Sequence, residues 1–364
     1  MEPTNELLPL LTDSNERFRT IRELGSGTYG RVMLALDRDL QQRCALKILQ
    51  KSTTKYRDFH REYNYSLLLS SHRSIIDTYE DRCFQTTDAY VIVQEFAPLG
   101  DLFESIPPQR GLPEKAVKTI MKQVASALEF MHDKGLVHRD VKPENVMIFD
   151  ADFHKVKLID FGMTRKCGTY VRRLIGSIPY SPPEVCDALN NDILVSTSMD
   201  VWAFGVLLFC SLTGNFPWEH AQESDIYFNE YNQWIQNYQM ERRYKLPSQW
   251  YKFSNRLMRL FRKMLDPEPL KRCEITEIDK YYDDKWIHDH FNNRRRSSNE
   301  DEGVEEDFSS SGSGIECNTV TSSTISNSDF EELTQMMRNS LTSFDNLLTN
   351  ENQQSSTNVA KTYC

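Results

Sequence analysis

Between His138 and Asn145 the chain reads H-R-D-V-K-P-E-N, and fifteen residues after Asn145 it reads D-F-G, Asp160 to Gly162. The first string carries a carboxylate that can orient a hydroxyl and an amide that can hold a metal. The second carries a carboxylate for a metal that bridges phosphates. Either string alone can arise by chance. In this order and at this spacing they constrain the fold, because both have to serve one site for phosphoryl transfer.

The pattern around them supplies such a site. From about Phe18 to Glu95 it is β-rich, with apolar alternation, a glycine-rich turn and a strand over Cys44–Leu49. One helical stretch, about Tyr56 to Ser70, interrupts it. The connector F-A-P-L-G-D, residues 96–101, suits a hinge. From Asp101 to about Phe291 the chain is mainly helical. Pro113 takes a first-turn position of a helix running to about His132, with Val117, Ile120, Met121, Val124, Leu128 and Met131 on one stripe. Val201–Leu212, the longest apolar run, is too short to cross a bilayer and predicts a buried helix. A small β-rich lobe before a larger helical lobe leaves a cleft suited to a nucleotide.

Gly25-Ser26-Gly27-Thr28-Tyr29-Gly30-Arg31-Val32 fits G-x-G-x-x-G-x-V. Glycines let a turn's backbone N–H groups approach anionic oxygens without side-chain clash. A dinucleotide-binding turn would lead into a helix; here V-M-L-A-L follows and predicts a strand. Lys47 points inward on the next strand, between Leu46 and Ile48, and an inward lysine requires a partner. Glu62, fifteen residues on in the helical stretch, is the natural one. The ammonium can then hold the α- and β-phosphates while Glu62 holds the ammonium. Lys51 and Lys55 are expected to be exposed strand lysines.

Asp140 is expected to orient the substrate hydroxyl, and Lys142 to offset charge on the transferring phosphoryl group. Asn145 and Asp160 would hold Mg²⁺ through hard oxygen ligands. His138 and Phe161 are expected to pack. A catalytically dead scaffold would usually lack one of Lys47, Glu62, Asp140, Asn145 or Asp160, and here all five are present.

The chain has 364 residues and a formal net charge of −10. From Phe291 onward there are 5 basic and 12 acidic residues, so −7 of that charge lies in the tail. This argues against nucleic-acid binding and against a polybasic membrane anchor. The eight cysteines are scattered without a C-x-x-C pair, a pattern of reduced intracellular thiols. The N-terminus lacks the basic and apolar regions of a signal peptide. A soluble, monomeric protein of the cytoplasm or nucleus is expected.

These residues resemble the eukaryotic protein kinases over roughly 18–290. Pro182-Pro183-Glu184 stands at the family's A-P-E, Asp200 to Gly205 matches its D-x-W-x-x-G helix, and Arg272 matches the arginine that pairs with the glutamate. Lys142 and Ser177 are similar to the serine/threonine branch. I-P-P-Q-R-G-L-P-E (106–114), D-F-G-M-T-R, residues 202–219 and L-P-S-Q-W (246–250) resemble the SH3-binding-type serine/threonine kinases. The resemblance implies the α+β bilobal kinase fold, a small β-rich N-lobe (18–95) and a larger, mainly helical C-lobe (97–290), after a leader at 1–17. It implies an ATP- and Mg²⁺-dependent protein serine/threonine kinase acting on protein substrates. It also implies that Leu24 and the glycine loop cover the nucleotide and that Gln94 gates the back of the pocket. Backbone groups of Glu95 and Ala97 would meet adenine, with Val32, Ala45 and Met147 around the ring. A pseudokinase-like scaffold is the alternative. A small-molecule kinase is disfavoured, because Asp160 to Glu184 has the length of a protein-kinase activation segment.

Several positions depart from the family. The tail, 291–364, has no proline, so a P-x-x-P ligand for SH3 domains is unsupported. Arg173 stands where many relatives carry a phosphorylated threonine; Thr169 and Tyr170 are the nearest upstream hydroxyls, and no phosphate at 173 should be needed. Ser66 occupies a position that usually packs an apolar side chain, which would loosen the active arrangement. Asp101 and Glu144 stand where related kinases place acids that receive a basic substrate residue, and Cys210 replaces a third. The tail is expected to be disordered, except for an amphipathic helix at 328–348 (Phe330, Leu333, Met337, Leu341, Phe344, Leu348) that would dock on a protein partner or on the kinase domain.

Overall fold

In a computed structural model, residues 9, 17–27, 30–172, 178–188, 192–240 and 245–288 are described. The expected tail helix at 328–348, the loop residues Thr28 and Tyr29, and Arg173 and Ser177 lie outside them.

The first lobe is a five-stranded antiparallel sheet in the order β1-β2-β3-β5-β4. Its strands are β1 (Phe18–Gly27), β2 (Gly30–Asp37), β3 (Gln42–Gln50), β4 (Phe84–Gln85) and β5 (Ala89–Glu95). Register fixes what faces the cleft, because directly opposed residues share a face and side chains alternate along a strand. Val32 opposes Lys47, which opposes Ile92, while Ala45 opposes Gln94. Cys44 and Leu46, on the other face of β3, are buried with Phe18, Phe84 and Val93 in the lobe's own core.

Helix α1 (Tyr56–Leu69) follows β3. It starts without a side-chain cap and stays in place through its packing. Phe59 stacks on Tyr90 at 4.2 Å within the sheet's core, and Leu69 is buried in the core of the second lobe. One helix therefore has an end in each lobe.

The second lobe opens with α2 (Leu102–Ser105) and α3 (Glu114–Asp133). Pro113 is the residue flanking α3, one position earlier than expected, and the whole predicted stripe from Val117 to Met131 is buried. Short strand pairs follow: β6 (Leu136–Val137), β7 (Val146–Ile148), β8 (Val156–Leu158), β9 (Arg165–Lys166) and β10 (Tyr170–Arg172). Pairing of β6 with β9 and of β7 with β8 sets the H-R-D and D-F-G strings side by side. After α4 (Pro183–Cys186) and β11 (Asp192–Leu194), α5 (Ser198–Thr213) is buried along its entire length, as its apolar run predicts. Gly214 ends α5 at φ 67°, and a side chain there would strike the Pro107 carbonyl. Helices α6 (Ile226–Gln239) and α7 (Asn255–Met264) close the lobe. Tyr231 stacks on Trp250 at 4.7 Å in an aromatic core that includes Trp202 and Trp218. Among the described residues no helix is long and apolar enough to cross a membrane.

Candidate active site

Lys47 reaches across the cleft from β3. Its Nζ lies 2.5 Å from Glu62 Oε1 on α1 and 2.9 Å from Asp160 Oδ1 of the D-F-G string. Burial opposes the ammonium, but the carboxylates of Asp160 and Glu62 outweigh it and raise the Lys47 pKa. One ammonium cannot serve two acids equally. Burial raises the Glu62 pKa despite Lys47, whereas at Asp160 Lys47 and the Gly162 N–H overcome burial and bring the acid down to about 2. Asp160 is thus firmly anionic. A side chain at Gly162 would press on Glu62 Oε2 at 3.1 Å, so this glycine keeps room for the pair.

Asp140 is held in the catalytic loop by Lys142 Nζ at 2.8 Å and by Asn145 Nδ2 at 2.9 Å. Asn145 Nδ2 also donates to the Asp140 carbonyl. Both amide protons of Asn145 are directed at Asp140, which leaves the side-chain oxygen turned toward whatever else enters the site. Asp160 uses Oδ1 for Lys47 and the Gly162 N–H, which leaves Oδ2. These two remaining oxygens are hard donors of the kind that would suit Mg²⁺.

Asp200 shapes this loop from below. Its Oδ2 accepts the His138 N–H and bonds His132 Nε2, and its Oδ1 accepts the Arg139 N–H. Burial opposes its charge, yet these donors, His132 first, lower its pKa. The bonds hold Arg139 at φ 70°, and Asp160 stands at φ 66°. A non-glycine residue in the left-handed region costs about 1–3 kcal/mol and persists where surroundings enforce it. His138 is fully buried, bonded to the Ile159 carbonyl, with Phe161 packed edge-on at 5.7 Å. Both are packing residues, as expected.

The glycine loop folds as the β1–β2 hairpin, with a register shift between Glu23 and Gly25. A side chain at Gly30 would collide with the Ile48 carbonyl, whereas one at Gly25 or Gly27 would meet open space within the protein. Leu24, Gly25, Ser26 and Gly27 lie on β1, and Val32 and Ala45 on neighbouring strands of the same sheet. Met147 on β7 bridges to Asp101 at the far side of the connector. The Glu95 N–H is taken by the Asp77 carbonyl, and the Ala97 N–H meets no acceptor among the described residues.

Some contacts were not foreseen. Lys157 on β8 is 4% exposed and bonds the Glu95 carboxylate and Asp77, pinning the hinge to the D-F-G strand. Ser66 is buried with partners in Thr78 and Gln94, so its polarity does not leave a void. Neither Lys51 nor Lys55 lies on a strand, since β3 ends at Gln50; Lys51 is half-buried, not exposed, because it donates to Gln85 Oε1 and the Thr86 carbonyl, and Lys55 is exposed. Arg61, Arg139 and Arg165 converge, and burial followed by the other two arginines lowers the Arg165 pKa to about 10. Arg139 donates to the Met163 carbonyl and Arg165 to those of Gly162 and Thr164. The pairing that the resemblance implies is present: Arg272 grips Glu184 with two 2.7 Å bonds, and it lies over Trp202 at 4.8 Å.

Comparison with known proteins agrees with this geometry. The protein kinase domain family matches residues 18–287. Serine/threonine-protein kinase SBK1 of Danio rerio is 48% identical over 294 residues, covering 80% of this chain and 75% of that protein. SBK1 of Mus musculus is 48% identical over 271 residues, covering 74% of this chain and 64% of its own length. Serine/threonine-protein kinase meng-po of Drosophila melanogaster is 39% identical over 284 residues, 77% of this chain and 60% of that protein.

Proposed function

The chain belongs to the protein kinase family and is a serine/threonine kinase, and from that premise we propose how its own residues carry the transfer of a phosphoryl group from ATP to a protein hydroxyl. The carrying observation is Lys47 held between Glu62 and Asp160. Lys47 binds the α- and β-phosphates, and Glu62 keeps the ammonium aimed. Asp140 accepts a hydrogen bond from the substrate Ser or Thr hydroxyl and aligns it for attack. Lys142, bonded to Asp140, is placed to offset charge on the moving phosphoryl group. Asn145 and Asp160 are the residues that would hold Mg²⁺. When bound, the ion neutralises phosphate charge. Adenine sits against Val32, Ala45 and Met147, with the Ala97 N–H and the Glu95 carbonyl as its hydrogen-bond partners. Leu24 and the loop Gly25–Gly30 cover the phosphates.

Substrate selection is proposed to favour Arg or Lys about three residues before the phosphoacceptor. Burial raises the pKa of both Asp101 and Glu144, and at Glu144 the Asp101 and Asp140 charges add to the effect. A substrate cation relieves that repulsion. The tail helix is proposed to dock on a protein partner or on the kinase domain. The six described cysteines are free thiols, which favours a reducing compartment, cytoplasm or nucleus.

The test is incorporation of labelled phosphate from γ-labelled ATP by purified protein, with Asp140→Asn as control. Label on Ser or Thr in the wild type alone supports the reading. Equal label in both, or none in either, points to the scaffold alternative.

A further inference from the structure

A buried polar triad lies behind the cleft. Ser66 Oγ and Thr78 Oγ1 are 2.9 Å apart, and Gln94 Nε2 donates to both at 3.1 Å. Ser66 is 2% exposed and Thr78 8%. The two protons of one amide nitrogen thus serve two hydroxyls, while one hydroxyl donates to the other.

Its position ties it to the ion pair. Ser66 stands four residues after Glu62, one turn along the same face of α1. Gln94 is the last residue but one of β5 and opposes Ala45, two residues from Lys47. Thr78 lies in the connector after α1 and bridges Gln94. The same connector is bonded to the next turn of the helix, where Ser70 Oγ accepts the Thr78 N–H and donates to the Ser66 carbonyl. The triad therefore joins the helix carrying Glu62 to the strand beside Lys47.

The chemistry determines what such a joint can do. Apolar packing at position 66 would be non-directional and would tolerate a small rotation of the helix. Hydrogen bonds weaken steeply with angle. Rotating α1 outward would strip Ser66 and Thr78 of partners in a buried place, and orphaned buried polar groups are costly. We propose that Ser66, Thr78 and Gln94 are positioning residues that fix α1 at the rotation where Glu62 reaches Lys47, so that the side chain closing the back of the cleft also sets the ion pair. The inference rests on the phosphate-binding role proposed for Lys47 and Glu62.

Thr78 separates hydrogen bonding from packing. Thr78→Val keeps the shape and loses the hydroxyl, whereas Thr78→Ser loses the methyl and keeps the hydroxyl. The experiment measures kcat/KM for ATP and hydrogen exchange of residues 60–69 in these two variants, in Ser66→Ala, in the Ser66→Ala/Thr78→Val double variant, and in Lys47→Met as reference. The expected result is a loss of about tenfold in kcat/KM and faster α1 exchange in Thr78→Val and Ser66→Ala. Thr78→Ser stays near the wild type, and the double variant is no worse than the weaker single one, because both break one network. Wild-type activity in Thr78→Val, a larger loss in Thr78→Ser, or multiplicative losses in the double variant would overturn the proposal. An active Lys47→Met would instead overturn the role of the ion pair itself.

Discussion

Lys47 and Asp160 are 113 residues apart in sequence and meet at 2.9 Å. One stands on a sheet strand of the first lobe and the other in a loop of the second. Their contact spans the cleft between the lobes. It also matches the Asp160 charge before any ligand arrives.

Acidity should act first on substrate selection. The carboxyls of Asp101 and Glu144 have raised pKa values, so on acidification they take up protons before ordinary surface carboxylates do. Preference for a peptide with Arg three residues upstream over its Ala counterpart should therefore shrink as pH falls from 7 toward the ordinary carboxylate range. It should be full above the raised values. The preference, about three- to tenfold for a partly exposed pair, should become flat with pH in an Asp101→Asn/Glu144→Gln variant. Kinetics on the two peptides across pH measure this.

The Arg272–Glu184 pair predicts a stability effect distant from the chemistry. The Arg272 side chain is fully covered and makes two bonds to Glu184 and another to the Asp266 carbonyl. Arg272→Ala empties a covered site and strips the partly buried Glu184 carboxylate of its partner, a change that costs roughly 2–3 kcal/mol, below the range for a fully buried pair. Arg272→Lys should recover little, because an ammonium cannot reproduce the planar fork. Urea unfolding of the three proteins gives the numbers.

Lys157→Met should loosen the hinge. Lys155 remains 3.3 Å from Glu95, so the loss should be smaller, about 2 kcal/mol. The KM for ATP should rise severalfold, since Glu95 and Ala97 share the connector that Lys157 holds. An unchanged KM would separate this ion cluster from nucleotide binding.

The activation segment should work without phosphate. Arg139 and Arg165 already spend guanidinium protons on the carbonyls of Gly162, Met163 and Thr164. Protein expressed in bacteria should keep most of its activity after phosphatase treatment. A loss of tenfold or more, rescued by an acid at Thr169, would mean that the arginine cluster requires an anion.

Much of this was legible in the sequence. A periodic stripe marked α3, an unbroken apolar run marked the buried α5, and a helical stretch between strands marked α1; motif spacing singled out Lys47, Glu62, Asp140, Asn145 and Asp160, which the fold brings to one cleft. What escaped depends on register between distant segments. Ser66 looked like a weakness because its partners, Thr78 and Gln94, lie 12 and 28 residues away. Lys157 has no sequence signal of its own, because its partners, Asp77 and Glu95, come from distant segments. Lys51 misled for the same reason, since its acceptors lie at the end of β4 and in the turn before β5. The left-handed backbone at Arg139 and Asp160 has no sequence signal, because neither residue is glycine; it follows from the bonds around them.

Lys47 and Asp160 should act on phosphate and metal charge, and neither should be required for folding. The most direct measurement is kcat/KM for phosphorylation of a Ser/Thr peptide by Lys47→Met and Asp160→Asn, with thermal unfolding of the same samples. The predicted result is a loss of about a thousandfold or more in each, with both variants still folded and unfolding cooperatively. Activity near the wild type in either folded variant would contradict it.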